Sequence, residues 1–310
     1  MLQGTPPDLS YVCADVKFRE ISCIPIIEME CAAKLIDTPW ISRNVPALDE
    51  LAAILTPQRI AARHGTRLVA LEHKERWRNL RAQQRLGDYL VDLETTEFYL
   101  RHTDASFLDI AHRLPVSPML RKPIYFDNIW IGPPGTVQTF HQDNSDDYVS
   151  NRNYFIQLSG WKYISVCHPR DTFALTDGAT VRGHHCDASP TDPKVWRSVP
   201  SLCHAIVGPC DLLHIPPSYW HYVQSLSVSI SVSRWWFDNH LAEMIYCVGQ
   251  GRWQRPPLVV ADTGAFLRDL EEFGGASALK RVFLQLSPIA RFAIIKAFSE
   301  FYGKGVFDYV

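Results

Sequence analysis

Ser227-Val228-Ser229-Ile230-Ser231-Val232-Ser233 alternates hydroxyl and β-branched side chains without a break. Successive strand residues point to opposite faces, so Val228, Ile230 and Val232 share one face and the four serines the other. Small hydroxyls on one face suit the inside of a crowded barrel or the wall beside a ligand. Other short apolar runs surround this stretch: Tyr125 to Ile131, Tyr154 to Leu158, Tyr163 to Cys167, Asp211 to Ile215 and Val228 to Trp236. Gly and Pro separate them, which predicts a β-sandwich or barrel of jelly-roll type.

Two segments within this region carry the chemistry. One reads Trp130-Ile-Gly-Pro-Pro-Gly-Thr-Val-Gln-Thr-Phe-His141-Gln-Asp143, the other Gly208-Pro-Cys-Asp-Leu-Leu-His-Ile-Pro-Pro-Ser-Tyr-Trp-His221. A His-x-Asp on a strand aims both side chains at one point, and a second histidine from another strand completes a two-histidine, one-carboxylate set. That is the ligand set of a mononuclear non-haem Fe(II) oxygenase, with positions left open for chemistry.

A His-x-acid match alone means little, because the chain also contains His102-Thr-Asp104, His185-Cys-Asp187 and His73-Lys-Glu75. His141 follows apolar and β-branched residues after a Gly-Pro-Pro-Gly turn, as the end of a strand would. His185 lies among Gly183, Ser189, Pro190 and Pro193 and reads as loop. His102 leads into a turn, and His73 falls in a charged stretch that reads as a solvated helical face. His214 competes with His221 and is taken as structural.

The chain of 310 residues is 46% hydrophobic and 21% charged, with a formal charge of −2. That balance fits a globular protein and gives no global attraction to nucleic acid or anionic membrane. A local basic patch remains open. No run of about 18 apolar residues and no basic leader with an apolar stretch occurs, so neither a membrane span nor a secretory signal is expected. Eight scattered cysteines without a CxxC pair read as reduced thiols of a cytoplasmic protein. A zinc site of Cys186, Cys203 and His184, His185 or His204 is conceivable, although its spacing fits no common pattern.

Flanking segments are expected to be mixed. Leu48 to Leu55 and Arg76 to Asp92 read as helices. Residues 1–240 are expected to form the catalytic domain with its N-terminal elements, and 241–310 a helical region. There, Asp262 or Thr263 could cap a helix ending at Gly274-Gly275, and Ser287-Pro288 starts another. That last helix carries Ile289, Phe292, Ile295, Phe298 and Phe301, and packs either on its own barrel or in a homodimer.

From about 97 to 237 the chain resembles the JmjC-domain 2-oxoglutarate oxygenases, of the small cupin-like hydroxylase type. The resemblance rests on Trp130-x-Gly-x-x-Gly-Thr, His141-x-Asp143, Asn153-Tyr-Phe-Ile-Gln-Leu-Ser-Gly-Trp-Lys162-Tyr, Pro209-x-Asp211, Trp220-His221 and Ser231-Val-Ser-x-Trp-Trp236, in family order. It implies a mainly β fold with flanking helices, a double-stranded β-helix core, and His141, Asp143 and His221 as Fe(II) ligands. It also implies Lys162 as anchor of the distal carboxylate of 2-oxoglutarate, with Tyr99, Asn153 and Gln138 as further cosubstrate contacts and molecular oxygen as oxidant. A dicarboxylate in a half-buried pocket needs such a cation. Two departures stand out: Gln138 where relatives carry Ser or Thr, and a polar stretch, Asn144 to Arg152, that reads as an inserted loop beside the metal. The implied activity is hydroxylation of a protein or peptide side chain. A tRNA base or small metabolite, methyl-lysine demethylation, and a non-catalytic or isomerase-type metal-binding cupin are the alternatives.

Overall fold

The computed structural model describes residues 22–28, 37–74, 80–115, 126–143, 151–237, 239–249 and 263–302. They divide into two compact units, one holding most of the chain up to Trp235 and one from Trp236 onward.

The first unit is built from two sheets. One runs, in spatial order, Ser22–Cys23, Cys203–Val207, Lys162–Cys167, Trp220–Ser225, Val137–His141, His185–Cys186 and Val181–Arg182. The other runs Trp40–Ser42, Asp211–Ile215, Arg152–Ser159, Ser229–Trp236, Phe126–Gly132, Phe98–Asp104, Leu68–His73 and Arg81–Arg85. Phe126–Gly132, Val137–His141, Arg152–Ser159 and Lys162–Cys167 alternate between the two sheets, as do Cys203–Val207, Asp211–Ile215, Trp220–Ser225 and Ser229–Trp236, the arrangement of a jelly roll. The five strands expected from the apolar runs are all present.

The serine alternation does what its pattern requires. Ile230 and Val232 are buried on one face. On the other, Ser229 meets Ser225, Ser231 receives the Lys162 ammonium and Ser233 accepts from the Trp130 indole. A tight turn joins Arg152–Ser159 to Lys162–Cys167 at Gly160, whose φ is +72° and whose missing Cβ would fall 1.9 Å from the Val228 carbonyl oxygen. Only glycine fits there. Asp211 locks the neighbouring turn by accepting from the Gly208 and Asn44 amides and from Arg43. Arg234, itself buried, pairs with Asp127 through two nitrogens and donates to the carbonyls of Ala111, Leu114 and Pro115.

Three flanking expectations need correction. Arg76 to Asp92 is not one helix: Arg81–Arg85 is a strand and Leu86–Val91 a short helix, while 75–79 lies outside the described residues. His73 ends the Leu68–His73 strand and is only 3% exposed, because Val69, Leu71 and His73 alternate inward. His185 is in a two-residue strand, not a loop, paired with Val137–His141. The helix near Leu48 is present as Asp49–Ile54.

The second unit contains His240–Gly249, Thr263–Glu272, Gly275–Gln285 and Pro288–Tyr302 as helices. Gly274, at φ +100°, separates the middle two. The Ser287 hydroxyl accepts from the Ala290 amide, the expected N-cap. The last helix buries Ile294, Ala297 and Phe298, with Phe298 against the rings of Phe266 and Phe283. Ile289 and Phe292 stay exposed. No described helix is long and apolar enough to cross a membrane.

Candidate metal and cosubstrate site

His141 ends its strand, Asp143 follows two residues later, and the Trp220–Ser225 strand lies alongside with His221 in register opposite His141. The two imidazole centroids are 4.0 Å apart. Asp143 Oδ1 lies 3.4 Å from His221 Nε2 and 3.9 Å from His141 Nε2. These ligand atoms all fall within 4.8 Å of one another, and no other described group of three His, Cys, Asp or Glu residues does so.

The atoms turned away from this point are all engaged. His141 Nδ1 donates to the Thr139 carbonyl at 2.8 Å and His221 Nδ1 to the Tyr219 carbonyl at 3.1 Å. A carbonyl only accepts, so each ring carries its proton on Nδ1 and offers the Nε2 lone pair inward. Asp143 Oδ2 accepts from Asn153 Nδ2 at 2.7 Å and Trp235 Nε1 at 2.8 Å. Gln142, between the two ligands, donates its side-chain amide to the Ser218 carbonyl at 2.6 Å and ties the His141 arm to the segment before His221.

Electrostatics agree with a cation site. Burial, with His221 nearby, holds His141 well below the usual imidazole range. Burial also works against the Asp143 carboxylate, yet His221, His141 and the Trp235 indole outweigh it and keep that carboxyl below its ordinary range. Burial opposes charge on His221 as well, and the Asp143 carboxylate more than reverses this. Two imidazole nitrogens and one carboxylate oxygen, oriented by outer hydrogen bonds, fit Fe(II).

A cavity open at its mouth runs from this triad to Lys162. Lys162 is buried, donates to Ser231 Oγ at 2.8 Å and stands 5.2 Å from the centroid of the Phe155 ring. No described carboxylate pairs with it. Burial alone draws its ammonium down to about 7. A buried lysine at the end of a cavity, with hydroxyls around it, fits the distal carboxylate of 2-oxoglutarate. Ile164 and Val166, two and four residues on along the same strand, are fully buried.

Tyr99 and Gln138 both line the cavity, and the Tyr99 hydroxyl donates to Gln138 Oε1 at 3.2 Å. Asn153 lines it too, and its side-chain amide donates to Asp143 Oδ2. The segment 144–150 lies outside the described residues.

Two of the rival histidines are engaged away from the triad. His73 pairs with Glu97, and His214 packs between Trp40 and Tyr154. The conceivable zinc residues do not assemble: Cys186 donates to the Leu175 carbonyl and Cys203 to that of Val166. His185 stacks on His141 at 5.5 Å, a neighbour that the reading of its segment as loop concealed. Trp235 was likewise missed, although Ser231 and Ser233 on the same face, at two-residue steps, pointed to it.

The sequence profile described as the cupin-like domain matches residues 79–241. The chain is 34% identical over 114 residues to lysine-specific demethylase 8 of Danio rerio, covering 35% of this chain and 27% of that protein. It is 34% identical over 112 residues to Jumonji C domain-containing protein 5 of Drosophila melanogaster, covering 34% and 26%. Over 111 residues it is 30% identical to JmjC domain-containing protein D of Dictyostelium discoideum, covering 34% and 23%. The matched stretch spans about a quarter of the length of these relatives.

Proposed function

This chain belongs to the cupin-like domain family, and from that premise we propose that it is an Fe(II)- and 2-oxoglutarate-dependent oxygenase that hydroxylates a C–H bond on a protein or peptide side chain. One observation carries the reading: the His141, Asp143 and His221 donors and the buried Lys162 ammonium face the same cavity.

In this reading His141 Nε2, Asp143 Oδ1 and His221 Nε2 hold the metal, and Lys162, oriented by Ser231, binds the far carboxylate of 2-oxoglutarate. Tyr99 and Gln138 supply hydroxyl and amide contacts along the wall. When bound, Fe(II) and 2-oxoglutarate supply the oxidising power: one atom of O2 enters the substrate and the other enters succinate, with release of CO2. The residues do the rest. The outer hydrogen bonds on both imidazoles and on Asp143 keep the donors fixed, so the open positions stay on the cavity side. Trp130 and Trp235, edge to face at 6.4 Å, supply apolar wall where a substrate side chain would lie, and limit water there.

A second reading shares this site. Three relatives are named lysine-specific demethylases, and hydroxylation of an N-methyl group leads to its loss as formaldehyde. The two outcomes differ in mass: a hydroxylated product gains one oxygen, a demethylated one loses CH2.

The test is succinate formation from 2-oxoglutarate with Fe(II) and oxygen, followed by mass spectrometry of proteins incubated with the enzyme. Wild type should turn over, and His141→Ala and Lys162→Met should not. Equal slow rates in wild type and His141→Ala would sink the assignment.

A further inference from the structure

The face that lines the cavity does not end at the barrel. Tyr99 pairs with Glu72, and Glu72 pairs with Arg81. Directly opposed residues of antiparallel strands share a face, so Tyr99, Glu72 and Arg81 lie in one row. Two strand spacings, about 10 Å, separate the Tyr99 wall from Arg81. Beyond Tyr99 the row becomes open: Leu68, Ala70, Arg81, Gln83 and Arg85 are all exposed. Arg81–Arg85 is the last strand of its sheet, paired on one side only among the described residues.

This platform is basic. Among its described residues Arg59, Arg63, Arg67, Arg81 and Arg85 are exposed, with Arg81 also reaching Glu72 at 3.7 Å and Arg67 donating to the Phe107 carbonyl, in a chain whose formal charge is −2. Arg63 and Arg67 are close enough to hold His64 below its usual range, after burial. Arg67 leads directly into Leu68, which pairs with Arg85. Charge on an edge strand also discourages self-association. That device needs charge on the edge alone, whereas here it extends to exposed Arg59 and Arg63 on the Pro57–His64 helix.

We propose that Arg81–Arg85 and the adjoining arginines form a docking platform for an acidic segment of the protein substrate, which adds as a further strand along this edge. The proposal rests on the protein-substrate reading and names the chemistry of that substrate. An added strand satisfies the open backbone of the edge, and its alternate side chains fall opposite Arg81 and Arg85, where Asp or Glu makes cross-strand pairs. A nucleic acid could meet the arginines but not the backbone. The row then leads from the docked segment to Tyr99 and the cavity.

The test uses the full chain and fluorescence anisotropy with three labelled probes: a peptide of alternating Glu and Val about a dozen residues long, the same peptide with Gln for Glu, and an oligouridylate of similar length. The Glu peptide should bind about tenfold or more tighter than the Gln peptide, the sum expected of two such pairs. R81E/R85E should reverse this preference and bind a Lys-for-Glu peptide instead. Amide hydrogen exchange across 81–85 should slow on binding. R81Q/R85Q, with a melt matched to wild type, stands in should the charge reversal fail to fold, and should lose the preference. Equal binding of the Glu and Gln peptides, or binding of oligouridylate in preference to both, overturns the proposal. Succinate formation without protein substrate should be unchanged in R81E/R85E. Absence of succinate formation in wild type fails the oxygenase reading and leaves the binding arms to be judged separately.

Discussion

In the proposed reading, Lys162 makes 2-oxoglutarate binding depend on pH in a way that its chemistry fixes in sign. Burial draws its ammonium from the ordinary value of 10.5 to about 7. The two carboxylates of 2-oxoglutarate stay ionised from about pH 6 to 9, so the lysine alone titrates between them. A dianion selects the charged ammonium, and binding therefore raises the lysine pKa. Below about 7 the free protein is already protonated and affinity is flat. Above it each pH unit costs about tenfold, and affinity at about pH 9 should be roughly a hundredfold weaker than at about pH 6. At about pH 8 binding should take up close to one proton per site. Mn(II) filling the triad, with oxygen excluded, keeps the histidines from titrating and prevents turnover. Calorimetry in two buffers of different ionisation enthalpy then reads both affinity and proton uptake. Lys162→Arg stays charged across the range, so any affinity it retains should be independent of pH. Flat wild-type affinity with no proton uptake refutes the reasoning, because a charged or absent partner at this position predicts both.

Three further outcomes follow from particular contacts. Trp235→Phe keeps the ring but removes one of the two donors on Asp143 Oδ2; metal affinity should fall about ten- to a hundredfold, read by Mn(II) titration, with the melt little changed. Gly160→Ala forces a Cβ to within 1.9 Å of the Val228 oxygen in a left-handed turn, and should cost more than about 2 kcal/mol in urea unfolding. Arg234→Met strands Asp127 in the interior without its partner. Burial already pushes the Asp127 carboxyl up despite Arg234, so the loss should cost about 3–5 kcal/mol, least at low pH where that carboxyl is protonated.

The legibility of this protein in its sequence follows the period of its patterns. The serine strand was readable by its unbroken period of two, and the runs around Tyr154, Tyr163 and Asp211 by the short continuous apolar stretches of strands buried on both faces. The triad was readable because His-x-Asp on a strand converges by geometry, and the flanking Gly-Pro-Pro-Gly turn marked which match sat on one. Residues 76 to 92 were misread because charge dominated the composition while the strand Arg81–Arg85 is an edge, exposed on alternate residues and free of the apolar signal that a core strand carries. Asn153 was legible only in part. Sequence places it near the site, but only the fold decides whether its amide meets a cosubstrate or the carboxylate of Asp143. Trp235 and His185 depend on contacts between segments far apart in the chain, 92 residues in the case of Trp235 and Asp143.

The charges of the proposed site close only when every part is present. Asp143 contributes one negative charge and the protonated Lys162 one positive. A divalent metal and a dianionic cosubstrate add two of each sign, so the complete assembly is neutral. Each partial assembly leaves charge buried, which is costly at the low exposure of these groups. Metal alone leaves the triad end positive and favours the dianion; the dianion alone meets Asp143 across the same cavity and is disfavoured. Binding should therefore be ordered, metal first, and the depressed Lys162 follows from the same account. With no anion in the cavity, the neutral amine costs least to bury, and the proton that completes the assembly arrives with the cosubstrate.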